Sequence, residues 1–330
     1  LFAFKSLGGV AVKGKSEPVL AYQVIGRKFE SIHTRGIEGL HAPMVGRDGE
    51  LLALREVLAG LRQGLGRILF VLGEAGLGKT RLISEAHEVF QGLGYPQAAW
   101  VETISLSYET NQAYGLVQRL LRRMSGIEYN DPPGIVHEKL SDLLQSLEET
   151  RHARALRVFE ALFGLETETQ APPMDDETFK RELYEAMVLW WKSRFSVQPA
   201  VLVFDDMHWC DAASAELLRQ LLPLTGEIPL VLLFAMRGER NAPAWQIKST
   251  ADEEYNHRYM ELVLRPLSEA EGNDLVNRLL NNPDLPNSLR GSILDKSGGN
   301  PFFIEEVVRT LIDNGILVAE ERGTNGQTTR

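Results

Sequence analysis

Cysteine is nearly absent: Cys210 is the single one in 330 residues. One thiol excludes any intrachain disulfide framework and fits a reducing compartment, so a cytoplasmic location is expected. Long apolar runs are missing as well. The longest, about Pro229 to Met236, falls far short of the ~20 residues a helix needs to cross a bilayer. Positive charge is in deficit: 35 Lys and Arg against 45 Asp and Glu leave a formal net charge of -10. That balance argues against a general nucleic-acid or acidic-membrane surface. Two arginine clusters remain, Arg119/Arg122/Arg123 and Arg151/Arg154/Arg157, and their helical spacing reads as solvated helix faces rather than a basic groove. No internal repeat or low-complexity tract is visible. What is there, 44% hydrophobic and 24% charged residues, is the composition of a folded chain long enough for one large and one smaller domain.

The chain changes character several times. Residues 1–25 hold two β-prone runs, "FAFKSLGGVAVKG" and "PVLAYQVIG", about the turn-like "KGKSEP". Two strands cannot bury a core alone, so this piece is expected to close a domain lying upstream, and the chain to be a fragment of a longer protein. Residues 26–42 are polar and irregular and read as a linker. Asp48 then predicts a capped helix with Leu51, Leu54, Leu58 and Leu61 at helical spacing. Five short apolar runs follow, at 68–72, 98–104, 200–204, 229–236 and 259–264, alternating with helical segments. Their Val, Ile and Leu content without polar alternation predicts strands of a parallel sheet buried on both faces. Residues 112–197 form a helical insertion broken at "NDPPG" and "ETQAPPMDDE". An α/β core over 43–265 is therefore expected. Beyond it, 266–330 would form a small helical lid, broken at "NNPDLP" and "SGGNP", and the start of a further domain. The tail "GILVAEERGTNGQTTR" reads as one strand or half a hairpin.

One stretch carries most of the chemistry. Gly73-Glu74-Ala75-Gly76-Leu77-Gly78-Lys79-Thr80 fits G-x-x-x-x-G-K-[ST] and lies between a predicted strand and a predicted helix. Glycines let backbone N–H groups approach a phosphate, and the following helix start adds unpaired donors. Lys79 is suited to the β- and γ-phosphates of ATP, and Thr80 to Mg²⁺. Arg81 follows at the next helical position and joins the expected nucleotide contacts.

A second stretch answers the first. "PAVLVFDDMHWCD" delivers Asp205 and Asp206 at the end of a buried run, where ligands of open α/β sheets bind. Two adjacent carboxylates repel unless a cation sits nearby. Asp205 is assigned to the Mg²⁺ shell, and Asp206 to positioning or deprotonating an attacking water. Asp211 is expected to cap the helix "AASAELLRQLL". His208 reads first as a hydrogen-bonded loop histidine, with a γ-phosphate sensor as the alternative; Cys210 is given no chemical role. Arg237 ends the fourth run and would face the γ-phosphate if that strand lies between the first and third.

"VGRDGEL", "GEAGLGKT", "VFDDMHWCD", "AMRGER", "RPLSEAE" and "GGNPFFIEEVVRTL" occur here in this order. Over residues 43–318 the chain resembles signal-transduction ATPases with numerous domains (STAND), a branch of the AAA-related P-loop ATPases. "VAVKGKSEPVLAYQVIG" is similar to the closing strands of class III adenylate/guanylate cyclase domains. The resemblance implies a P-loop NTPase fold with sheet order 5-1-4-3-2 in the numbering of the five runs. It implies a slow ATP-hydrolysing switch, with ATP or ADP and Mg²⁺ as cofactors. Val45, Gly46 and Arg47 would lie by adenine and ribose, Pro301 of Gly299-Asn300-Pro301 would pack on the base, and Arg237 would sense the γ-phosphate. Where vigorous relatives carry Glu, this chain has Asp206, which fits a switch better than a motor. Implied partners are an upstream cyclase domain, downstream helical repeats and a second copy of the chain. Alternatives are a scaffold that binds nucleotide without hydrolysis, or the ATPase module of a large transcriptional regulator.

Overall fold

A computed structural model describes residues 2–10, 19–27, 43–95, 98–165, 175–280 and 285–315. The expected turn at 11–18, nearly all of the linker, most of "ETQAPPMDDE" and the tail past 315 lie outside the described residues. β1 (Phe2–Val10) and β2 (Val19–Arg27) pair antiparallel, as the two β-prone runs predict, with register shifts at Ala3/Phe4 and Ser6/Gly8.

The main body is one five-stranded parallel sheet. In chain order come α1 (Asp48–Gly60), β3 (Arg67–Leu72), α2 (Lys79–Gly92), β4 (Ala99–Ile104), α3 (Gly115–Ser125), α4 (Pro133–Leu143), α5 (Glu149–Leu162) and α6 (Asp176–Phe195). After these follow β5 (Ala200–Asp205), α7 (Ala212–Leu221), β6 (Leu230–Met236), α8 (Ala244–Glu254) and β7 (Tyr259–Val263). The strand order is β4-β5-β6-β3-β7, all parallel, which is the order 5-1-4-3-2 read from the other edge. β6 thus lies between β3 and β5, the condition set for Arg237.

Residue alternation sorts the core into two layers. Ile68, Phe70 and Leu72 face α3 to α8, while Leu69 and Val71 face α1 and α2. Phe70, Phe234 and Phe204 stand in one register row across three strands, stacked at 4.9 and 5.2 Å between ring centroids. Only the central strands are buried on both faces. β7 is half-exposed along its length and β4 is buried mainly near its end, because each has a single sheet neighbour. Gly66 makes the tight β3–β6 entry possible: a Cβ there would stand 2.2 Å from the Thr225 carbonyl oxygen.

Asp48 is the first residue of α1 rather than its cap. Arg47 occupies the cap position, with no side-chain capping bond. The two arginine clusters also differ. Arg154 pairs with Glu182 and Glu185 on an exposed face, as expected. Arg119 instead pairs with Glu109 and Arg122 lies over the Tyr129 and Phe163 rings at 4.7 and 4.8 Å, so these two are packed into the insertion, while Arg123 is exposed as expected. Burial holds the Arg122 guanidinium below its ordinary range.

Past β7 the described residues hold no further strand. α9 (Glu269–Leu280), α10 (Asn287–Ser297) and α11 (Pro301–Asp313) close around Leu275, Val276, Ile293, Ile304 and Val308, a small core separate from the sheet's. Among the described residues no helix is long and apolar enough to cross a membrane.

Asp211 ties the insertion to the sheet. Its buried carboxylate caps α7 through the Ser214 N–H at 2.8 Å, as predicted, and also accepts from the N–H groups of Tyr114 at 2.8 Å and Leu116 at 3.4 Å. Tyr114 is held at a left-handed φ of 61° to present its N–H. Asp211→Ala removes a cap and strands two further buried donors; we expect a loss of about 3 kcal/mol in urea unfolding, against about 1 kcal/mol were capping its whole role.

Candidate functional site

The loop between β3 and α2 begins where β3 ends against β6, with the Gly73 N–H donating to the Met236 carbonyl at 3.2 Å. Gly76 and Gly78 adopt φ of 82° and 91°, values that favour glycine. Nothing lies within 4 Å of the Cβ position of Gly78, so the loop leaves open space there. Lys79, the first residue of α2, is buried and folds its Nζ back to donate to the carbonyls of Gly73 at 2.7 Å and Glu74 at 3.1 Å. Burial pushes its ammonium below the usual lysine range, opposed by Asp205 and Asp206.

Asp205 closes β5 and is 2% exposed. Its carboxylate accepts the Thr80 hydroxyl at 2.9 Å and the Asp206 N–H at 2.7 Å. Burial, then the neighbouring Asp206 charge, push this carboxyl above the ordinary aspartate range. Asp206 turns out of the strand at a left-handed φ of 51°, an unusual setting for a side-chain-bearing residue at the end of a strand. Among the described residues neither carboxylate has an ion-pair partner within 4.0 Å, so two acidic groups are gathered with no protein cation bound to them. That arrangement fits a divalent ion. No cluster of three or more His, Cys, Asp or Glu side chains forms a metal cage among the described residues. Magnesium suits such a sparse donor set, because it keeps waters and phosphate oxygens as ligands.

Arg237 follows β6 and is about one-third exposed, with Glu239 Oε1 3.8 Å away. Its charge is felt at Lys79 and at His208. His208 is buried, and the expected hydrogen bond is missing: neither ring nitrogen has a partner among the described residues. Cys210 is buried, its thiol pushed up by burial, and inert.

The helical lid reaches the glycine loop directly. Asn300 caps α11, accepting the Phe302 N–H at 3.1 Å, while its own amide donates to the Ala75 carbonyl at 2.9 Å. The Phe302 N–H also reaches the Gly76 carbonyl at 3.3 Å. A Cβ on Gly76 would stand 2.6 Å from Asn300 Oδ1, so glycine is needed here for the lid's approach as well as for the turn. Glu305 on α11 has its carboxyl raised by burial, within the field of Arg81 on α2. Arg81 itself pairs with Glu85 at 2.9 Å.

Beside the loop lies a cavity of about 500 Å³, walled by Gly73, Glu74 and Leu77, by Val263 to Pro266 after β7, and by Asn300 and Phe303 of the lid. Val45, Gly46, Arg47 and Pro301 do not line it. Val45 packs on the lid core. Gly46 approaches Glu271 so closely that a Cβ would stand 2.7 Å away. Arg47 is buried and spends its guanidinium on the carbonyls of Leu77, at 3.5 Å, and Arg265, with Glu50 at 3.4 Å. It clamps loop, sheet edge and α1 together. Asn300 enters the sequence reading only as part of Gly299-Asn300-Pro301, expected to meet the base rather than the loop, and Phe303 has no role in it. An Asn before Pro, at a helix start, was the available signal for the first; the second had none.

Asp205 provides a test that needs no ligand. A carboxyl raised in the native state weakens folding above that raised value, and the penalty fades as pH falls through it and the proton is taken up. Asp205→Asn keeps an acceptor for the Asp206 N–H and a donor toward Thr80. The variant is expected to melt above the wild type at neutral pH, with the gap closing on acidification. Equal melting points at neutral pH would show that the charge is not costly.

The described geometry has counterparts elsewhere. The family model for the AAA ATPase domain matches residues 43–234, and one for a domain of unknown function, DUF8739, matches 268–325. An uncharacterized protein of Rhizobium meliloti (strain 1021) is 22% identical over 95% of this chain and 29% of its own length. Adenylate cyclase type 10 of Oryctolagus cuniculus is 21% identical over 99% of this chain and 20% of its own. The chain therefore spans less than a third of the length of these curated relatives. A solved Aeropyrum pernix ORC2 protein, in ADPNP–ADP complexes, matches at 14% identity and a TM-score of 0.49, covering 85% of this chain and 66% of that one. The AAA ATPase match covers more than half of the sequence and takes in the glycine loop and the Asp205–Asp206 strand. The chain belongs to the AAA ATPase domain family.

Proposed function

We propose that this chain is a nucleotide-operated switch of the STAND type, binding ATP with Mg²⁺ between the sheet's C-terminal edge and the helical lid and hydrolysing it slowly. The observation that carries the reading is the direct bond between lid and loop, Asn300 to the Ala75 carbonyl. Any ligand that reorders the loop peptides at 75–76 must alter what holds the lid.

The roles follow from the chemistry of the groups. Lys79 would exchange its two carbonyl partners for β- and γ-phosphate oxygens. Thr80 and Asp205 would hold Mg²⁺, whose charge neutralises the phosphates and relieves the buried carboxylate pair. Asp206 would orient or deprotonate the attacking water, and Arg237 would answer the charge on the terminal phosphate. Loop amides from Gly73 to Thr80, with Arg81 beyond them, would carry the phosphates. The cavity would take base and sugar, with Val45, Gly46, Arg47 and Pro301 bracing its far side and Phe303 offering an aromatic wall.

For the parent protein we infer a class III adenylate/guanylate cyclase regulated by this module, in a cytoplasmic setting. The antiparallel β1–β2 pair and the relative named adenylate cyclase type 10 support that reading. Partners would then be the adjoining domains of one polypeptide, and a second copy of it. The short reach of Asp206 favours a second reading, a scaffold that retains nucleotide without hydrolysis.

Lys79→Ala decides whether the loop is a phosphate site. Losing charged hydrogen bonds of roughly 1.5–3 kcal/mol each should weaken ATP binding about 100-fold by calorimetric titration. An unchanged affinity would reject the assignment. Wild-type protein purified with bound ADP supports the switch; retained ATP with no phosphate release over hours supports the scaffold.

A further inference from the structure

β7 reads Tyr-Met-Glu-Leu-Val, a single charge in a strand otherwise apolar or aromatic. Glu261 stands opposite Phe70 in the parallel register and Val263 opposite Leu72, so both lie on the α8 face of the sheet. Val263 ends the strand half-exposed, and Glu261 is set one alternation deeper. Both line the cavity of about 500 Å³ beside the glycine loop.

Two side chains fix the Glu261 carboxylate. Lys248 on α8 is buried, with its Nζ 2.8 Å from Glu261 Oε2 and 3.7 Å from Asp252. The Trp245 and Tyr259 rings flank the same Nζ at 5.2 and 5.6 Å from their centroids. The Tyr259 hydroxyl donates to Oε2 as well. Burial works against a charge on Glu261, but the Lys248 and Tyr259 bonds outweigh it and hold the carboxyl below the ordinary glutamate range. The group is therefore ionised and can only accept. Both of its bonds fall on Oε2. Among the described residues Oε1 accepts no hydrogen bond, and neither Lys248 nor Tyr259 lines the cavity.

A held carboxylate with one oxygen unused, in a space walled also by Leu77, Val263 and Phe303, suits a flat ring carrying an N–H donor at its edge. A carbonyl oxygen at that edge would face the carboxylate unfavourably. Depth decides which part of a nucleotide this is. Glu261 lies opposite Phe70, three residues and about 10 Å along the strand from Gly73, where the glycine loop begins. The sugar stays beside the phosphates to which it is bonded, and the far edge of the base reaches deeper. Glu74, the other carboxylate on the cavity wall, is exposed on the loop itself.

We propose that Glu261 selects the base: its Oε1 accepts a hydrogen bond from the 6-amino group of adenine and disfavours the 6-oxo group of hypoxanthine or guanine. Lys248 and Tyr259 act as positioning residues, holding the other oxygen. The inference rests on the nucleotide reading of the cavity and adds to it the group that chooses the base.

The test is calorimetric titration of ADP, inosine diphosphate and 2′-deoxy-ADP, each with Mg²⁺, into the wild type and Glu261→Gln. The wild type should bind ADP about tenfold more tightly than inosine diphosphate, the worth of one hydrogen bond to a charged group, and 2′-deoxy-ADP within about twofold of ADP. In Glu261→Gln, Lys248 and Tyr259 still donate, so they hold the amide oxygen and turn its NH₂ into the cavity. ADP should then weaken about tenfold while inosine diphosphate holds or tightens, and the preference should vanish or reverse. The ratio within each folded protein is the readout, because a loss of stability from the broken Lys248 ion pair lowers both affinities alike. Equal affinities for ADP and inosine diphosphate in the wild type would overturn the proposal whatever the variant does. An unchanged ratio in Glu261→Gln would mark Glu261 as structural and overturn it too. A tenfold loss with 2′-deoxy-ADP that Glu261→Gln abolishes would assign the carboxylate to the sugar and overturn the base assignment. A wild type that binds none of the three would remove the nucleotide reading itself, and this inference with it.

Discussion

A carboxylate held out of water at the end of a buried strand organises this site. Among the described residues Asp205 has no protein cation at ion-pair distance and is met by the Thr80 hydroxyl and the Asp206 amide, and burial together with Asp206 works against its ionisation. Lys79 stands in the opposite condition, a buried ammonium answered by two carbonyl dipoles. Neither group is neutralised by the other at ion-pair distance. Such a constellation is unfavourable for folding alone, and the proposed phosphate and divalent ion would relieve it.

The loop that carries Lys79 is also the floor on which the lid rests. Gly76 serves two ends at once, a left-handed turn and space for Asn300. Arg47 and the close approach of Gly46 to Glu271 tie the start of α1 to the same junction. Core and lid have separate hydrophobic centres, joined by the hydrogen bonds of Asn300 and Phe302 to the loop and by the packing of Val45. Polar contacts across an apolar-poor boundary are the kind a ligand can rearrange without unfolding either side.

On the far side, Asp211 joins the same strand exit to the helical insertion. From Asp205 to Asp211 the chain makes a left-handed residue, one short helical turn and a helix cap in succession. The first residues of α3 hang from that cap by their N–H groups. Asp206 and His208 therefore lie on the same short backbone segment as the residue that anchors the insertion.

Much of this was legible in the residues themselves. The glycine loop, the two carboxylates, the five strands and the capping role of Asp211 all follow from local pattern, because backbone freedom, strand burial and helix starts are short-range demands. Charge at helical spacing was misleading for Arg122, since a guanidinium stacked on rings is indistinguishable in sequence from one in water. Asp48 looked like a cap because capping depends on where the helix begins, which Arg47 and its distant partners decide. The sequence by itself determined the glycine loop, the paired carboxylates and the strand ends that carry them. Only the tertiary structure decided that Asn300 meets Ala75, that Phe303 walls the cavity and that His208 is left without a partner. Each of these depends on segments tens to hundreds of residues apart being pressed together, and no local pattern encodes a distance across the fold.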